Sequence, residues 1–280
     1  FECIDDPEVC TALLDSARRW LAAEGMTVFR GPANPSTNHE CGLLVDGFGL
    51  PPQVMMPYNP PRYAALLECY GLRKVKDLYA YRISQREINP QFAHVAERIA
   101  KRSGIEVRPI DMAHFADDAR LIREIYNRAW ERNWGFVPLD DEEFAYLARQ
   151  MKQILEPSLA LIGFVGGKPA GFSLTLPNIN EALARINGRL LPFGFLRLIR
   201  AMKHISSCRN LLMGVTADCR KLGLDVVLYK HTIDAGTRLG YTWGELSWIL
   251  EDNIEMRRVL EKMGASIYKT YRFYEMPIEH

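Results

Sequence analysis

The stretch that decides the fold is residues 212–225, which read Leu-Met-Gly-Val-Thr-Ala-Asp-Cys-Arg-Lys-Leu-Gly-Leu-Asp. The first half is apolar and predicts a strand, and the second half is a basic turn with a glycine that opens a helix. Backbone amides of residues 220–224 would be free at the positive end of that helix, and Gly223 would let an anion approach closely. The stretch therefore predicts a phosphate-binding turn, with an ordinary strand-to-helix turn as the alternative.

The elements around this turn alternate in a regular order. Two helices and a hairpin separate a first strand from the turn, and a helix, a strand, a second helix and a final strand follow it. The predicted strands cover residues 105–111, 159–165, 170–176, 240–249 and 266–275, and the predicted helices cover residues 117–133, 140–155, 224–239 and 253–264.

Residues 215–225 resemble the pyrophosphate-binding loop of the GCN5-related N-acetyltransferases, whose pattern is Val-x-Pro-x-x-Arg-x-x-Gly-x-Gly or Ala. Val215, Arg220 and Gly223 match this pattern, and the order of elements over residues 104–280 is the order found in the family. The resemblance implies an α/β (α+β) fold, with a mixed, mostly antiparallel twisted sheet flanked by helices. It also implies acetyl-CoA or another acyl-CoA as the acyl donor.

Three positions depart from the family pattern. Ala217 stands at the usual proline, and Asp225 stands at the last small residue, where its carboxylate would repel a phosphate held by the same amides. Leu260 stands where the family often has a tyrosine that protonates the departing thiolate of coenzyme A. A positioned acid contributes roughly two to four powers of ten in rate, so this loss would slow a site without silencing it.

The resemblance also assigns residues to the site. The predicted cofactor contacts are Met213, Val215, Arg220, Lys221, Leu222, Gly223, Leu224 and Asn253. Asn253 also immediately precedes a helix, so an N-cap role explains it equally.

Acyl transfer to an amine needs a base for the ammonium proton. Glu245, on the strand after the cofactor helix, is our candidate for the base, with a solvent-facing strand-edge carboxylate as the alternative. Tyr268 on the last strand is our candidate for the missing proton donor. Trp130 and Trp134 lie where the family shapes its acceptor pocket. Core packing explains these three aromatic residues as well.

The first part of the chain repeats the last part. Residues 67–81 align with residues 260–274 at one offset, with Leu, Glu, Gly, Lys and Tyr coinciding, and Gly25-Met26-Thr27 mirrors Gly240-Tyr241-Thr242 after a helix. We predict two tandem copies of one fold: a partial first copy at residues 1–83, which holds the C-terminal half of the fold, a linker helix at residues 84–103, and a complete copy at residues 104–280. A start at Phe1 agrees with a truncated first copy. Chance similarity of helix-glycine-strand units is the alternative.

Two segments have no counterpart in the family. Residues 31–63 are rich in proline, asparagine and glycine, and we expect them either to reach into a neighbouring cleft or to form surface turns. Residues 179–209 form an insertion, in which residues 181–203 alternate leucine and phenylalanine with arginine. This basic amphipathic segment could pack on the first copy, which is the simpler interpretation, cover an acyl chain, or contact a membrane surface as a peripheral lipid contact.

Composition sets limits on the partners. Lysine and arginine total 35 against 34 aspartate and glutamate residues, so no bulk charge favours nucleic acid. The six cysteines show no Cys-x-x-Cys spacing, which predicts reduced thiols and no zinc site, and no apolar run reaches membrane-spanning length. We therefore expect a cytoplasmic protein without a metal.

The sequence favours an acyl-CoA-dependent N-acyltransferase that acts on a small-molecule or peptide amine. One alternative is an aminoacyl-tRNA-dependent transferase of the peptide-bridge class, which also uses two copies of the fold, although the balanced charge argues against tRNA. The other alternative is a noncatalytic ligand-binding or interaction protein, which Asp225 and Leu260 favour.

Overall fold

A computed structural model describes residues 1–131 and 133–278 of the chain. The helices are α1 (Pro7–Ala23), α2 (Arg62–Tyr70), α3 (Phe92–Ser103), α4 (Phe115–Trp130), α5 (Asp141–Met151), α6 (Asn180–Ala184), α7 (Gly194–Met202), α8 (Leu224–Arg238) and α9 (Ile254–Met263). The strands are β1 (Val28–Gly31), β2 (Ala33–Asn34), β3 (Glu40–Cys41), β4 (Leu43–Asp46), β5 (Arg73–Ser84), β6 (Ile105–Pro109), β7 (Ala160–Val165), β8 (Lys168–Pro177), β9 (Ser207–Val215), β10 (Trp243–Leu250) and β11 (Ser266–Pro277).

One large sheet forms the centre of the molecule. Its strands are ordered β1-β11-β5-β10-β9-β8-β7-β6, and β4 pairs with β11. Strands β9 and β10 run parallel, whereas the other neighbouring strands described for this sheet run antiparallel. This arrangement confirms the mixed, mostly antiparallel sheet predicted from the sequence.

The two copies exchange their last strands. Strand β5 comes from the first copy and lies between β10 and β11 of the second, and β11 in turn lies between β5 and β1 of the first. The ladder between β5 and β11 runs from the pair Ser266 and Arg82 to the pair Glu275 and Arg73. Residues 1–83 and 104–278 therefore share one continuous sheet.

Matching helix ends support the tandem repeat. Helices α2 and α9 both end at a left-handed glycine, Gly71 with φ 115° and Gly264 with φ 108°. In each copy the amide after that glycine donates to a leucine carbonyl, that of Leu67 at 3.1 Å or that of Leu260 at 3.0 Å. The strands that follow, β5 and β11, are each 12 residues long.

Helices α1 and α8 end in a second matched pair of caps. Gly25 and Gly240 have φ 73° and 84°. The next amide, of Met26 or Tyr241, donates to a carbonyl at 2.9 or 3.0 Å. Strands β1 and β10 begin at equivalent positions after these turns.

Helix α3 connects the two copies and also packs against the second copy. It packs along α8, and Ala96 is fully buried at that contact. Ile99 from the same helix lies against the turn that precedes α8, because a Cβ at Gly223 would sit 2.8 Å from its Cγ2 atom. Residues 92–103, predicted as a linker, thus support the candidate phosphate turn.

Strand β9 is longer than the sequence predicted. Strand β9 begins at Ser207 rather than at residue 212, so residues 207–209 belong to the sheet and the insertion ends earlier than predicted. The sequence did not predict this end of the strand because Arg209 and Asn210 are polar, although both are buried. Buried polar side chains in a strand interrupt the apolar pattern from which strands are recognised.

Candidate active site

The site begins where two parallel strands separate. Strands β9 and β10 pair only over residues 207–210 and 243–246. Beyond Leu246 the pairing of β10 with β5 shifts register before Ile249. The separation opens a space between the strands, here called the gap, with Met213 on one side and Ser247 on the other.

The turn before α8 has the geometry of an anion-binding helix start. Residues Ala217–Leu222 form a 3-10 helix, and Gly223, with φ 79°, is the N-cap of α8. A side chain at this glycine would be strained by the positive φ and would meet Ile99. The amides of the first turn of α8 have no partner within the helix and give this end its partial positive charge, and those of Asp225 and Val226 face the Asp225 carboxyl. The sequence predicted free amides at residues 220–224, whereas a 3-10 helix over residues 217–222 uses the amides of residues 220–222 in its own hydrogen bonds.

An open groove leads from this turn toward the gap. Its lining residues include Asp225, which departs from the family pattern, and six of the eight predicted cofactor contacts: Met213, Val215, Arg220, Lys221, Gly223 and Asn253. Leu222 and Leu224 do not line it through their side chains. Leu224 is fully buried in the core, and Leu222 is exposed on the surface.

Two predicted contacts have structural roles as well. A guanidinium nitrogen of Arg220 donates to the carbonyl of Ala129, 2.6 Å away, at the end of α4. Asn253 lines the groove, and its Oδ1 atom accepts from the amide of Met256 at 3.2 Å as the N-cap of α9. The N-cap role of Asn253 is therefore observed, and its contact with a cofactor stays a prediction.

Asp225 lines the groove without closing it. Burial raises the pKa of this carboxyl, against the backbone N–H groups of Val226 and Asp225, which favour the ionised form. Because a raised pKa favours the neutral acid, the repulsion expected between Asp225 and a phosphate is reduced. The groove also has Asp252 and Glu255 on the α9 side.

The two predicted tryptophans lie where the groove joins the gap. Trp130 and Trp134 line both spaces. Trp130 contacts Phe172 edge-to-face, with ring centroids 5.8 Å apart, and Trp134 contacts Phe273 in the same way at 5.2 Å. Packing on the sheet thus fixes both rings at the wall of the gap.

Beyond the gap, the space continues into an apolar cavity under α4 and α5, here called the chain cavity. The two spaces share the lining residues Thr37, Asn38, Tyr126, Leu211, Leu212 and Trp248. Deeper walls are apolar and comprise Ile110, Phe115, Ile122, Phe144, Leu147, Met151, Leu155, Ala160 and Leu174. The cavity measures about 130 Å³.

The groove, the gap and the chain cavity are together called the channel. The first copy borders this channel at Thr37 and Asn38. Thr37 Oγ1 donates to the carbonyl of Gly135 at 2.6 Å, and Asn38 Nδ2 donates to that of Val137 at 2.8 Å. The hydroxyl of Tyr126 on α4 donates to Asn38 Oδ1. The inserted segment of the first copy therefore reaches into the cleft of the second, which was one of the two alternatives from the sequence.

Comparisons with known proteins agree with this architecture. The chain is 36% identical over 285 residues to Protein YghO of Escherichia coli (strain K12), which covers 99% of this chain and 73% of that protein. It is 39% identical over 280 residues to the Bacterial ceramide synthase of Caulobacter vibrioides, which covers 97% of this chain and 72% of that protein. The chain belongs to the family of these two proteins.

Two solved structures share the fold of this chain. A tandem GNAT protein from the clavulanic acid biosynthesis pathway matches 96% of this chain and 70% of its own, with a TM-score of 0.54 and 14% identity. A GCN5-related N-acetyltransferase from Sphaerobacter thermophilus matches 81% and 58%, with a TM-score of 0.53 and 16% identity. These likenesses show the fold, a tandem GNAT arrangement. No protein-family profile matches the chain.

Within this GNAT fold, the predicted base and proton donor meet in a buried cluster. Glu245 is 1% exposed and lies 3.4 Å from the Nε atom of Arg209, which is fully buried. Ser247 Oγ donates to Glu245 Oε1 at 2.6 Å, and the hydroxyl of Tyr268 donates to Glu245 Oε2. Glu245 thus lies inside the protein instead of on a solvent-facing strand edge.

Two members of the cluster border the channel. Ser247 lines the gap and Arg209 lines the chain cavity, whereas Glu245 and Tyr268 line neither space. Burial, the Glu245 charge and the hydrogen bond to it raise the pKa of Tyr268, so this phenol stays protonated. The roles of Glu245 and Tyr268 in catalysis remain predictions, and Ser247 is a residue that the sequence analysis missed because a lone serine in a strand has no distinguishing pattern.

The family tyrosine position faces the core in this protein. Leu260 is fully buried, whereas Met256 and Val259 of the same helix line the groove. Another phenol, Tyr229 of α8, does line the gap. Burial raises its pKa, so this phenol is protonated at neutral pH and is a weaker acid than an exposed tyrosine. An apolar helix pattern gave no reason to single out Tyr229 from the sequence.

Proposed function

We propose that the protein transfers an acyl group from acyl-CoA to the amine of an acceptor, and that at least one of the two substrates carries a long alkyl chain. The observation that carries this proposal is the continuous channel from the Gly223 turn, past Ser247, to the chain cavity. An acetyl group alone would leave the apolar end of this channel unfilled. The name of the Caulobacter relative supports a long-chain amine, since a ceramide is an N-acylated long-chain amino alcohol.

The turn would hold the diphosphate of the donor. The amides at the start of α8, with the side chains of Arg220 and Lys221 at the groove, suit such an anion. The raised pKa of Asp225 lessens the repulsion between its carboxyl and a diphosphate in the same groove. Bound acyl-CoA supplies an activated thioester carbonyl. The acyl-CoA donor is a cytoplasmic metabolite, which supports a cytoplasmic location.

Residues of the gap would handle the protons of the transfer. The amine nitrogen forms a bond to the carbonyl carbon, the carbon–sulfur bond breaks, and one proton must leave the nitrogen. Ser247 is placed to accept that proton while passing its own to Glu245, with Arg209 balancing the carboxylate charge. Tyr229 is placed to protonate the leaving thiolate.

A second candidate function is noncatalytic lipid binding. Its supporting observation is that Glu245 is enclosed by Arg209, Ser247 and Tyr268, so that the carboxylate has no direct opening to the channel. Such a protein would bind a long-chain acyl-CoA or amine without turnover.

Mass spectrometry separates the two candidates. The purified protein is incubated with palmitoyl-CoA or acetyl-CoA and a long-chain 2-amino alcohol, and amide product and free thiol are measured together. We expect amide and thiol in equal amounts, with palmitoyl-CoA or the long-chain amine required. Tight binding of palmitoyl-CoA by calorimetry without amide would favour the noncatalytic function, and no binding of any acyl-CoA would reject the donor assignment.

A further inference from the structure

The inserted segment between β8 and β9 already has a buried face. Ala182 of α6, Ala201 of α7 and Ile205 form a small core, with Leu198 and Tyr241 packed against it. These contacts hold the two helices on the body of the protein. The remaining faces of the segment are consequently not needed for its attachment.

Those remaining faces expose large apolar side chains to solvent. Leu191 is 82% exposed, Phe193 67% and Ile199 58%. Other exposed members of the same segment are Leu183, Leu190, Phe195, Leu196 and Met202. Apolar exposure concentrated in about 20 consecutive residues marks a contact surface and is unlike the scattered apolar residues of an ordinary surface.

Basic residues flank this apolar face. The segment carries Arg185, Arg189, Arg197, Arg200, Lys203 and His204, and no acidic residue occurs from 182 to 217. Arg185, Arg197, Arg200 and His204 surround a surface depression. The preceding Glu181 is turned inward, where its carboxylate accepts from the amide and hydroxyl of Ser206 at 2.9 and 3.0 Å.

We propose that residues 183–204 form a peripheral membrane-binding surface, which lies on a bilayer containing anionic phospholipid. The apolar side chains around Phe193 enter the headgroup boundary, and the basic depression takes lipid phosphates, as in interfacial amphipathic helices. Among the described residues, no helix is both long and apolar enough to cross a membrane, so the contact is at the surface.

The charge of the segment opposes the other obvious occupant, a second copy of the chain. A symmetric dimer through this face would place two sets of arginines opposite each other, with no acidic side chain of the segment between them. An anionic bilayer instead supplies the missing negative charge.

The surface adjoins the loop that borders the chain cavity. Asn180 Nδ2, at the start of α6, donates to the carbonyls of Pro52 and Gln53 at 3.1 and 3.0 Å. Met55, two residues further on, lines the chain cavity. If the proposed acyl transfer holds, a substrate with an alkyl chain would have a short route from the bilayer to the cavity. The membrane surface itself does not depend on that function.

Vesicle sedimentation tests the proposal. The full chain is mixed with vesicles of phosphatidylcholine alone or with about 30% phosphatidylglycerol, at low and high salt. We expect sedimentation with the anionic vesicles only, weakened by salt. The double variants Leu191→Ser with Phe193→Ser, and Arg197→Glu with Arg200→Glu, should each lower the partition coefficient by about tenfold or more.

Matched variants on α1 serve as controls. Leu13→Ser with Trp20→Ser removes two other exposed apolar residues, and Arg18→Glu with Arg19→Glu reverses two other exposed charges. These should sediment as the parent protein does, and circular dichroism should show all variants folded. Equal loss from the control variants, or binding to neutral and anionic vesicles alike, would overturn the proposal. So would a dimer that binds no vesicle and dissociates when Leu191 and Phe193 are replaced.

Discussion

The two ends of the channel are built in opposite ways. The phosphate end consists of consecutive residues, from the 3-10 helix Ala217–Leu222 through Gly223 into α8. The chain cavity is assembled from α4, α5, the four strands β7 to β10 and the Thr37 loop of the first copy. Recognition of the donor phosphate is therefore local in sequence, whereas recognition of an alkyl chain depends on tertiary packing. Variants at each end should affect different substrates, and variants between them should affect both.

The largest effect is expected in the middle of the channel. Ser247→Ala removes the hydroxyl that connects Glu245 to the gap, at 2.6 Å from the carboxylate. Loss of a proton-transfer group costs roughly a hundredfold in rate, so kcat should fall by that order for short and long substrates alike, with KM little changed. Steady-state kinetics with both donors measures this.

Ser207→Ala is the matched control for Ser247→Ala. Ser207 is also a buried serine of the sheet, on β9, and its hydroxyl also donates to a carboxylate, that of Glu181, but it lines neither the groove, the gap nor the chain cavity. Its loss should change stability but leave kcat within about twofold. If the two variants lose the same activity, Ser247 has a structural role and the proton route through it is wrong.

At the phosphate end, Gly223→Glu should lower the affinity for coenzyme A at least tenfold. The new side chain requires a left-handed φ of 79°, meets Ile99 and adds an anion beside the phosphate position. Calorimetry with coenzyme A measures the effect. Gly240→Glu is the control, since its φ of 84° imposes similar strain with no atom near the new Cβ. Unchanged affinity in the Gly223 variant would rule out this turn as the phosphate site.

At the apolar end, Ala148→Phe should discriminate by chain length. Ala148 of α5 lines the chain cavity, and a phenyl ring would occupy much of it. We expect kcat/KM to fall about tenfold for long-chain substrates and to change little for short ones. Ala145→Phe, on the exposed side of α5, is the control.

Varying the donor and the amine separately in this experiment identifies which chain the cavity holds. A loss that depends on the acyl length assigns the cavity to the donor, and a loss that depends on the amine assigns it to the acceptor. Equal losses with acetyl and palmitoyl donors and with short and long amines would show that the chain cavity binds neither chain.

The contrast between local and tertiary features also explains which parts of the fold the sequence predicted. The turn at Gly223 and the repeated helix ends at Gly71 and Gly264 were predicted because each is coded by neighbouring residues. The exchange of β5 and β11 was not predicted, since two strands of similar pattern can pair with the same neighbours. Strand order depends on tertiary contacts that a local pattern does not contain.

The candidate active site also has features that the sequence predicted and features that it did not. Trp130 and Trp134 were predicted at the acceptor side and do line the gap. They could be placed because Trp130 ends a recognisable helix and Trp134 follows it closely. Glu245 was placed on the correct strand, but its burial with Arg209 was missed, because Arg209 itself was assigned to an insertion. Partners that lie far apart in the chain cannot be paired from periodicity alone.

The smallest effect is expected from Asp225→Asn. This variant tests the phosphate end of the channel through the pH dependence of coenzyme A affinity. Burial raises the pKa of Asp225, so ionisation of this carboxyl is unfavourable in the folded protein, and its contribution to stability is lost as pH rises through that raised pKa. The same ionisation places a negative charge beside the phosphate position. Affinity for coenzyme A should therefore fall as pH rises through the raised pKa in the parent protein, and the variant should lack this fall.

At neutral pH the asparagine variant should bind coenzyme A roughly threefold to tenfold more tightly, because a neutral amide replaces an ionisable acid in the groove. Calorimetry across the acid to neutral range, with thermal unfolding of both proteins at each pH, separates binding from stability. A parallel pH dependence in the two proteins would show that Asp225 does not face the phosphate. Asp225 is the native acid at this helix start, and Gly223→Glu adds another. Comparing the two variants shows which of these carboxylates a bound phosphate can accommodate.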